Sequence, residues 1–367
     1  MKKYIFTAIV FATAALGCTK SNLVELPQSQ ETPITFEVYN GKAPMTKAIS
    51  IIGATGETEN GQSLAEAGGF HVTAFKHPDG TTIDHTDDYF DKDVTWSSSS
   101  STWTTDYVVF WPGDTPLDFV AYGLNANKTV NETRNEGTDN YPTLVFDEGS
   151  FTDFTYTVPA AVADQEDLVV SGMKTTSLSA TNGGTIQFQM EHVLSRIGFK
   201  VNVSGSAAVV INEITLYGAF STSGTVDLTA TTPAIAPLKN DQQEVVKTPT
   251  SYSLLPGDTS FSPEADQTQQ IHSGTAKNCY MMVIPGTVGD YATNTKPYIH
   301  IEYTLGGVPD EKDIPLTVDN TATGDNMEFK AGKAYEYLFT ISAAKIDFTG
   351  SVMDWDETGT NPGTPLN

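Results

Sequence analysis

"ETPITFEVYNGKAPMTKAIS", Glu31 to Ser50, decides how the chain is read. Ile34, Phe36 and Val38 alternate with Thr35, Glu37 and Tyr39, the period-two pattern of a strand with one face buried. A few residues on, Lys47 stands among small residues in "MTKAIS", a site suited to a trypsin-like protease. A core strand is thus placed just ahead of a point where the chain can be cut. Fully burying its three apolar side chains contributes on the order of 1.5–3 kcal/mol each, roughly 5–9 kcal/mol together. A domain is stable by only about 5–15 kcal/mol, so losing the strand removes much of that margin and opens a hydrogen-bonding groove.

Upstream, "MKK" is a positive n-region and "YIFTAIVFATAALG" an apolar run of signal-peptide length, followed directly by Cys18. The run is short for a membrane span. Ala15-Leu16-Gly17-Cys18 is similar to a bacterial lipobox, which favours leucine where this chain has Ala15. The expectation is cleavage of residues 1–17 and acylation of Cys18; the alternative is an ordinary cleaved signal. Several acyl chains on one cysteine anchor stably, because each buried methylene contributes roughly 0.8 kcal/mol. No later segment has the length and apolarity to span a bilayer, so the expected location is exported and lipid-tethered.

The formal net charge is −25, and the leader carries only Lys2 and Lys3, so the mature chain is more acidic still. Arginine occurs only at 134 and 196. Such an acidic surface excludes nucleic acid as a partner and disfavours anionic lipid. With Cys18 acylated, Cys279 has no cysteine left to pair with, and "NCYMMVIP" makes it a small buried hydrophobe.

Helical periodicity is nearly absent. Short β-rich runs bounded by Gly, Pro, Asn, Asp and Ser recur instead: "GGFHVTAFK", "PLDFVAYGL", "DLVVSGMK", "VVINEITLYGAF", "SYSLLP", "PYIHIEYTLGG" and "GKAYEYLFTISAAKIDF". Trp96 and Trp103 flank the serine run Ser97–Ser101, which reads as a hairpin loop. "GTIQFQMEHVLSRIGFKVNV" is nearly twice a normal strand, so a break is expected near His192–Leu194. This pattern means sandwiches or barrels, in two domains by length. The expected division is a signal peptide at 1–17, an arm at 18–47, domains at 48–192 and 193–350, and a polar tail at 351–367.

Catalytic motifs are missing: no G-x-S-x-G elbow, phosphate loop, dinucleotide fingerprint or H-E-x-x-H. An enzyme is not expected, nor a cofactor. His71, His77 and His85 are near one another but match no ligand spacing, and His192, His272 and His300 are scattered. Asp310, Asp313 and Asp319 lack calcium-loop order, so no metal is expected. Trp96, Trp103 and Trp111 pose a choice between a sugar-stacking platform and core packing, the latter expected.

In order along the chain come the lipobox, "ITFEV", a basic residue before alanine, "YVVFWPGDTPLDFVAYG", "DLVVSG", "FQMEHVLSRIGFKV", "ITLYGAF", "YMMVIPGT", "FKAGKAYEYLFTI" and "MDW". This succession resembles the fimbrillin (Mfa-like) family, pilus subunits of anaerobic gut and oral bacteria, over nearly the whole mature chain. The resemblance implies two transthyretin-like β-sandwich domains, export as an outer-membrane lipoprotein, and assembly into a surface fimbrium that supports adhesion. It implies that a processing protease removes the N-terminal strand after a basic residue and that a neighbour's strand fills the vacated groove. By position the cut falls after Lys47, where the family's stalk subunits carry arginine; Lys42, nearer the strand, is less favourable.

On this reading Ile34, Phe36 and Val38 form the removable strand, and the partners are other fimbrial subunits, the protease, the outer membrane and a host or bacterial receptor. The donor chosen is Lys345–Trp355, with Ile346, Phe348, Val352 and Trp355 as anchors; the other reading makes these the last strands of the second sandwich. Uncut subunits of the family serve as anchors, and tip subunits as adhesins. The runner-up from another class is a surface glycan-binding lipoprotein of sandwich domains.

Overall fold

A computed structural model describes residues 31–39, 50–51, 62–65, 69–77, 88–124, 143–146, 152–206, 208–255, 259–273, 279–293, 295–316, 327–342, 346–354 and 364–366. The described residues from Thr32 onward form one compact unit. It is all-β, and among the described residues no helix is long and apolar enough to cross a membrane.

Strands are numbered in chain order. Seven of them, β1 (Thr35–Tyr39), β11 (Thr185–His192), β10 (Val169–Thr176), β7 (Leu117–Gly123), β4 (Phe70–Lys76), β5 (Phe90–Ser97) and β6 (Thr102–Thr104), lie side by side round a closed hydrogen-bonded path. The serine run turns the β5–β6 hairpin, with Trp96 opposite Trp103. Alternation alone would leave one side of β4 and β7 wet, yet both strands are buried on both faces. One set, including Val72, Ala74, Phe119 and Ala121, joins the core that holds Ile34, Phe36 and Val38. The other, Phe75, Val120 and Tyr122, packs in a second core shared with the C-terminal strands.

The long run at 185–204 breaks as its pattern requires: β11 ends at His192 and β12 (Ser195–Ser204) begins three residues later. In the next sheet β12 lies between β23 (Lys333–Ser342) on one side and β17 (Thr268–Gln270) and β18 (Tyr280–Val283) on the other; β24 (Ile346–Asp354) pairs with the far side of β23, and β25 (Thr364–Leu366) with the far side of β24. A topological repeat emerges. β1 pairs in parallel with β11, and β12 pairs in parallel with β23, so each half joins its first strand to a late one.

Facing this sheet across the second core is β16 (Thr248–Ser253), β13 (Val209–Phe220), β20 (Tyr298–Leu305) and β21 (Val308–Pro315). Ile299, Ile301 and Tyr303 point inward from β20. A further sheet orders β15 (Ile235–Pro237), β14 (Ser223–Asp227), β9 (Asp153–Thr157) and β8 (Thr143–Phe146), tying early and late segments together. Two small pairs complete the set: β2 (Ser50–Ile51) with β3 (Gln62–Ser63), and β19 (Gly286–Thr287) with β22 (Glu328–Phe329). Cys279 is buried, as its apolar setting requires.

Candidate functional site

β1 closes the seven-strand path. On one side it runs in register with β11 over five pairs, from Thr35 opposite Thr185 to Tyr39 opposite Gln189. Thr35 and Thr185 share a hydroxyl hydrogen bond of 2.8 Å, and Gln187 Nε2 donates to Glu37 Oε2 at 3.1 Å. The other seam is shorter. Phe36 faces Trp103, the Ile34 amide donates to the Val109 carbonyl at 2.8 Å, and the Trp111 amide donates to the Thr32 carbonyl at 3.0 Å.

Between the seams Ile34, Phe36 and Val38 turn inward, each no more than 6% exposed. The Phe36 ring stacks with Phe188 at 6.2 Å and meets Phe70 and Phe90 edge-on at 6.3 and 6.4 Å. Aromatic pairs at such spacing add to simple area burial.

Gly184 sets the mouth of this slot. Its φ is +89°, and a Cβ there would lie 2.6 Å from the Pro33 carbonyl. Its own carbonyl accepts from the Thr35 amide at 3.2 Å and from Trp111 Nε1 at 3.1 Å. The turn leading to Gly184 is pinned by Asp114, which accepts from the Ser179 amide and hydroxyl at 2.8 and 2.9 Å; those donors hold its carboxyl below the usual range. Next to the shorter seam Tyr107, Val108 and Phe110 are exposed apolar residues on the segment that bonds to β1.

The described C-terminal anchors Ile346, Phe348 and Val352 lie on β24, within the sheet that also holds β12 and β23. β24 pairs antiparallel with β23 from Lys333 opposite Asp354 to Ile341 opposite Ile346, and with β25 on its far side. Ile346 is buried, Phe348 stacks with Tyr337 at 5.2 Å, and Val352 packs against the core. Cys18, Lys42, Lys47, His85 and Trp355 lie outside the described residues.

Trp103 and Trp111 are each 5% exposed, and half-buried Trp96 packs edge-on against Trp103 at 5.2 Å, so the three tryptophans form core rather than a platform. His71 and His77 do not converge either. His71 is clamped between Asp93 at Nδ1 and Asp91 at Nε2, both 2.8 Å, while His77 Nδ1 meets Asp118 at 2.8 Å. Burial pushes the His71 imidazole down, but its two carboxylates outweigh that and the net shift is upward. His192 Nδ1 pairs with buried Asp167 at 2.7 Å beside the strand break. One further group, His300, Glu302 and Glu311, brings three metal-ligand atoms within 4.8 Å of one another. Sequence reading did not assemble it.

Comparison with known proteins agrees with this architecture. No curated protein sequence matches the chain. A fimbrial protein from Bacteroides vulgatus has a similar fold, with 17% identity and a TM-score of 0.55 over 88% of this chain and 99% of that one. A fimbrial assembly protein from Parabacteroides distasonis aligns over 88% of this chain and 98% of its own at 12% identity and a TM-score of 0.38. For the fimbrial anchor protein Mfa2 from Porphyromonas gingivalis the figures are 91%, 98%, 10% and 0.35. The fimbrillin-like family model matches residues 54–355, and the chain belongs to that family.

Proposed function

We propose that the chain is a structural subunit of a cell-surface fimbrium and that β1 is a provisional part of it. Carried out as a lipoprotein, it is tethered to the outer membrane through Cys18. A protease cuts after Lys47, β1 departs, and a strand from a neighbouring subunit takes its place between β11 and the Trp103–Trp111 segment. The partners are therefore other fimbrial subunits, and the fibre presents the adhesive surface to its receptor. We assign residues 48–192 and 193–350 to tandem β-sandwich domains, the repeated parallel pairing of first and late strands supporting that division.

One observation carries this reading: a single five-residue strand closes the path and fills its core slot with three buried apolar side chains. Once vacated, that slot presents unpaired backbone along β11 and an apolar trough, which is what strand addition requires. Because the donor and acceptor surfaces differ, the contact is heterologous and propagates into a filament. Lys345–Trp355 is the proposed donor. Its described part is paired to β23, so donation means trading that pairing for one with the neighbour.

Limited trypsin treatment of the full chain, followed by N-terminal sequencing and gel electrophoresis in sodium dodecyl sulfate, tests the scheme. The expected result is a new terminus at Ala48 and detergent-resistant ladders. A severed arm that yields only single particles, with surface-extracted molecules all beginning at Cys18, overturns it. Deleting residues 344–367 is expected to leave a folded monomer that cannot elongate, and filaments from that variant refute the donor assignment.

A further inference from the structure

The β16-β13-β20-β21 sheet carries a cluster that takes no part in the strand exchange proposed above. Register lines up Glu213, Glu302 and Glu311 on β13, β20 and β21, and in the next row Thr215, His300 and Asp313. Like charges directly opposite one another destabilise a strand pair, and here there are two such pairs side by side.

From these residues we infer a divalent transition-metal site, of zinc type, ligated by His300 Nε2 and carboxylate oxygens of Glu302 and Glu311. The three ligand atoms already lie within 4.8 Å of one another, with His300 Nε2 3.5 Å from Glu302 Oε1. Around an ion held at about 2.0–2.1 Å, tetrahedral ligands sit roughly 3.3 Å apart, so modest side-chain rotation closes the site. An imidazole together with two carboxylates favours zinc-like ions over calcium or magnesium, which take oxygen alone.

Asp313 supplies the supporting shell. Its Oδ1 lies 2.6 Å from His300 Nδ1, placing the ring proton there and leaving Nε2 with its lone pair toward the glutamates. Glu213 is held by the Thr215 hydroxyl at 2.7 Å and completes the acidic rim. Tyr217, stacked on Tyr298 at 4.8 Å, flanks His300 with a ring-centre separation of 6.5 Å. Three protein ligands leave one position for water or for a group from another molecule. Within the subunit, the ion would clip edge strand β21 to β20.

The competing arrangement is a metal-free ion pair in which protonated His300 is shared by Asp313 and Glu302. Titrating the full chain with zinc chloride by calorimetry, after chelator treatment and exchange into non-coordinating buffer, decides between them. One ion per chain is expected, with Glu311→Gln weakening binding at least tenfold and Asp313→Asn by about 10–100-fold. Glu311 is exposed on an edge strand, so its variant keeps the core intact. A second measurement needs no variant: zinc should protect His300 from diethyl pyrocarbonate, read by mass spectrometry. Affinity weaker than about 1 mM, binding indifferent to both substitutions, or equal modification of His300 with and without zinc each overturn the site.

Discussion

Phe36→Ala isolates the energetic claim about β1. Its ring is 5% exposed and enclosed by Phe70, Phe90 and Phe188, residues on three separate strands. Because those strands are hydrogen-bonded in a closed path, the space left by the ring cannot collapse freely. Phe→Ala changes in cores that cannot collapse cost about 3–5 kcal/mol. With a urea dependence of about 2 kcal/mol per molar, the unfolding midpoint should fall by roughly 1.5–2.5 M. Tryptophan fluorescence is the appropriate probe, since Trp103 lies directly across from Phe36 and Trp111 packs in the same core. Val308→Ala, at a residue 67% exposed, is the control and should stay within about 0.5 kcal/mol of the parent. A midpoint shift for Phe36→Ala no larger than that of the control would show that β1 is a surface flap and refute the closure argument.

Gly184→Ala should destabilise the same core by about 1–3 kcal/mol, through a left-handed backbone and the clash with Pro33, read as a lowered thermal midpoint; an unchanged midpoint means that the mouth of the slot relaxes freely. His71 gives a pH test. Its folded pKa lies above the usual 6.5, so the stabilisation is complete below that value and is lost as pH rises through the raised one. Urea midpoints from about pH 6 to 9 should therefore fall more steeply for the parent than for His71→Gln, and parallel profiles would dismiss the clamp.

The fold class was legible because period-two alternation survives wherever one strand face is wet. Ile34, Phe36 and Val38 on β1, and Ile299, Ile301 and Tyr303 on β20, read correctly for that reason. Strands buried on both sides were legible as strands, but their two loyalties were not. Nothing in "FHVTAFK" says that Phe70 and Phe75 belong to different cores, which depends on what covers each face. β21 went unread because "VPDEKDIP" is charged along most of its length. A usable signal was present in Gly306-Gly307, both at positive φ, a two-residue hairpin turn that fixes the register of β21 against β20. Counting outward from Leu305 and Val308 places Glu311 opposite Glu302 and Asp313 opposite His300. The cluster was therefore within reach of turn chemistry, though not of any ligand motif. The tryptophans were decided by packing, with Trp111 additionally held through its indole nitrogen.

The parallel partnership of β1 with β11 joins residues 150 positions apart. Ribosomes add about 5–20 residues per second, so the partner emerges roughly 8–30 s after β1 itself. For that interval an apolar segment has only its shorter seam with the Trp103–Trp111 segment to pair against, and closing so long a loop to β11 makes its main pairing a late arrival in folding. Whatever shields the nascent segment during the wait acts on the very stretch whose later departure would release the subunit for assembly.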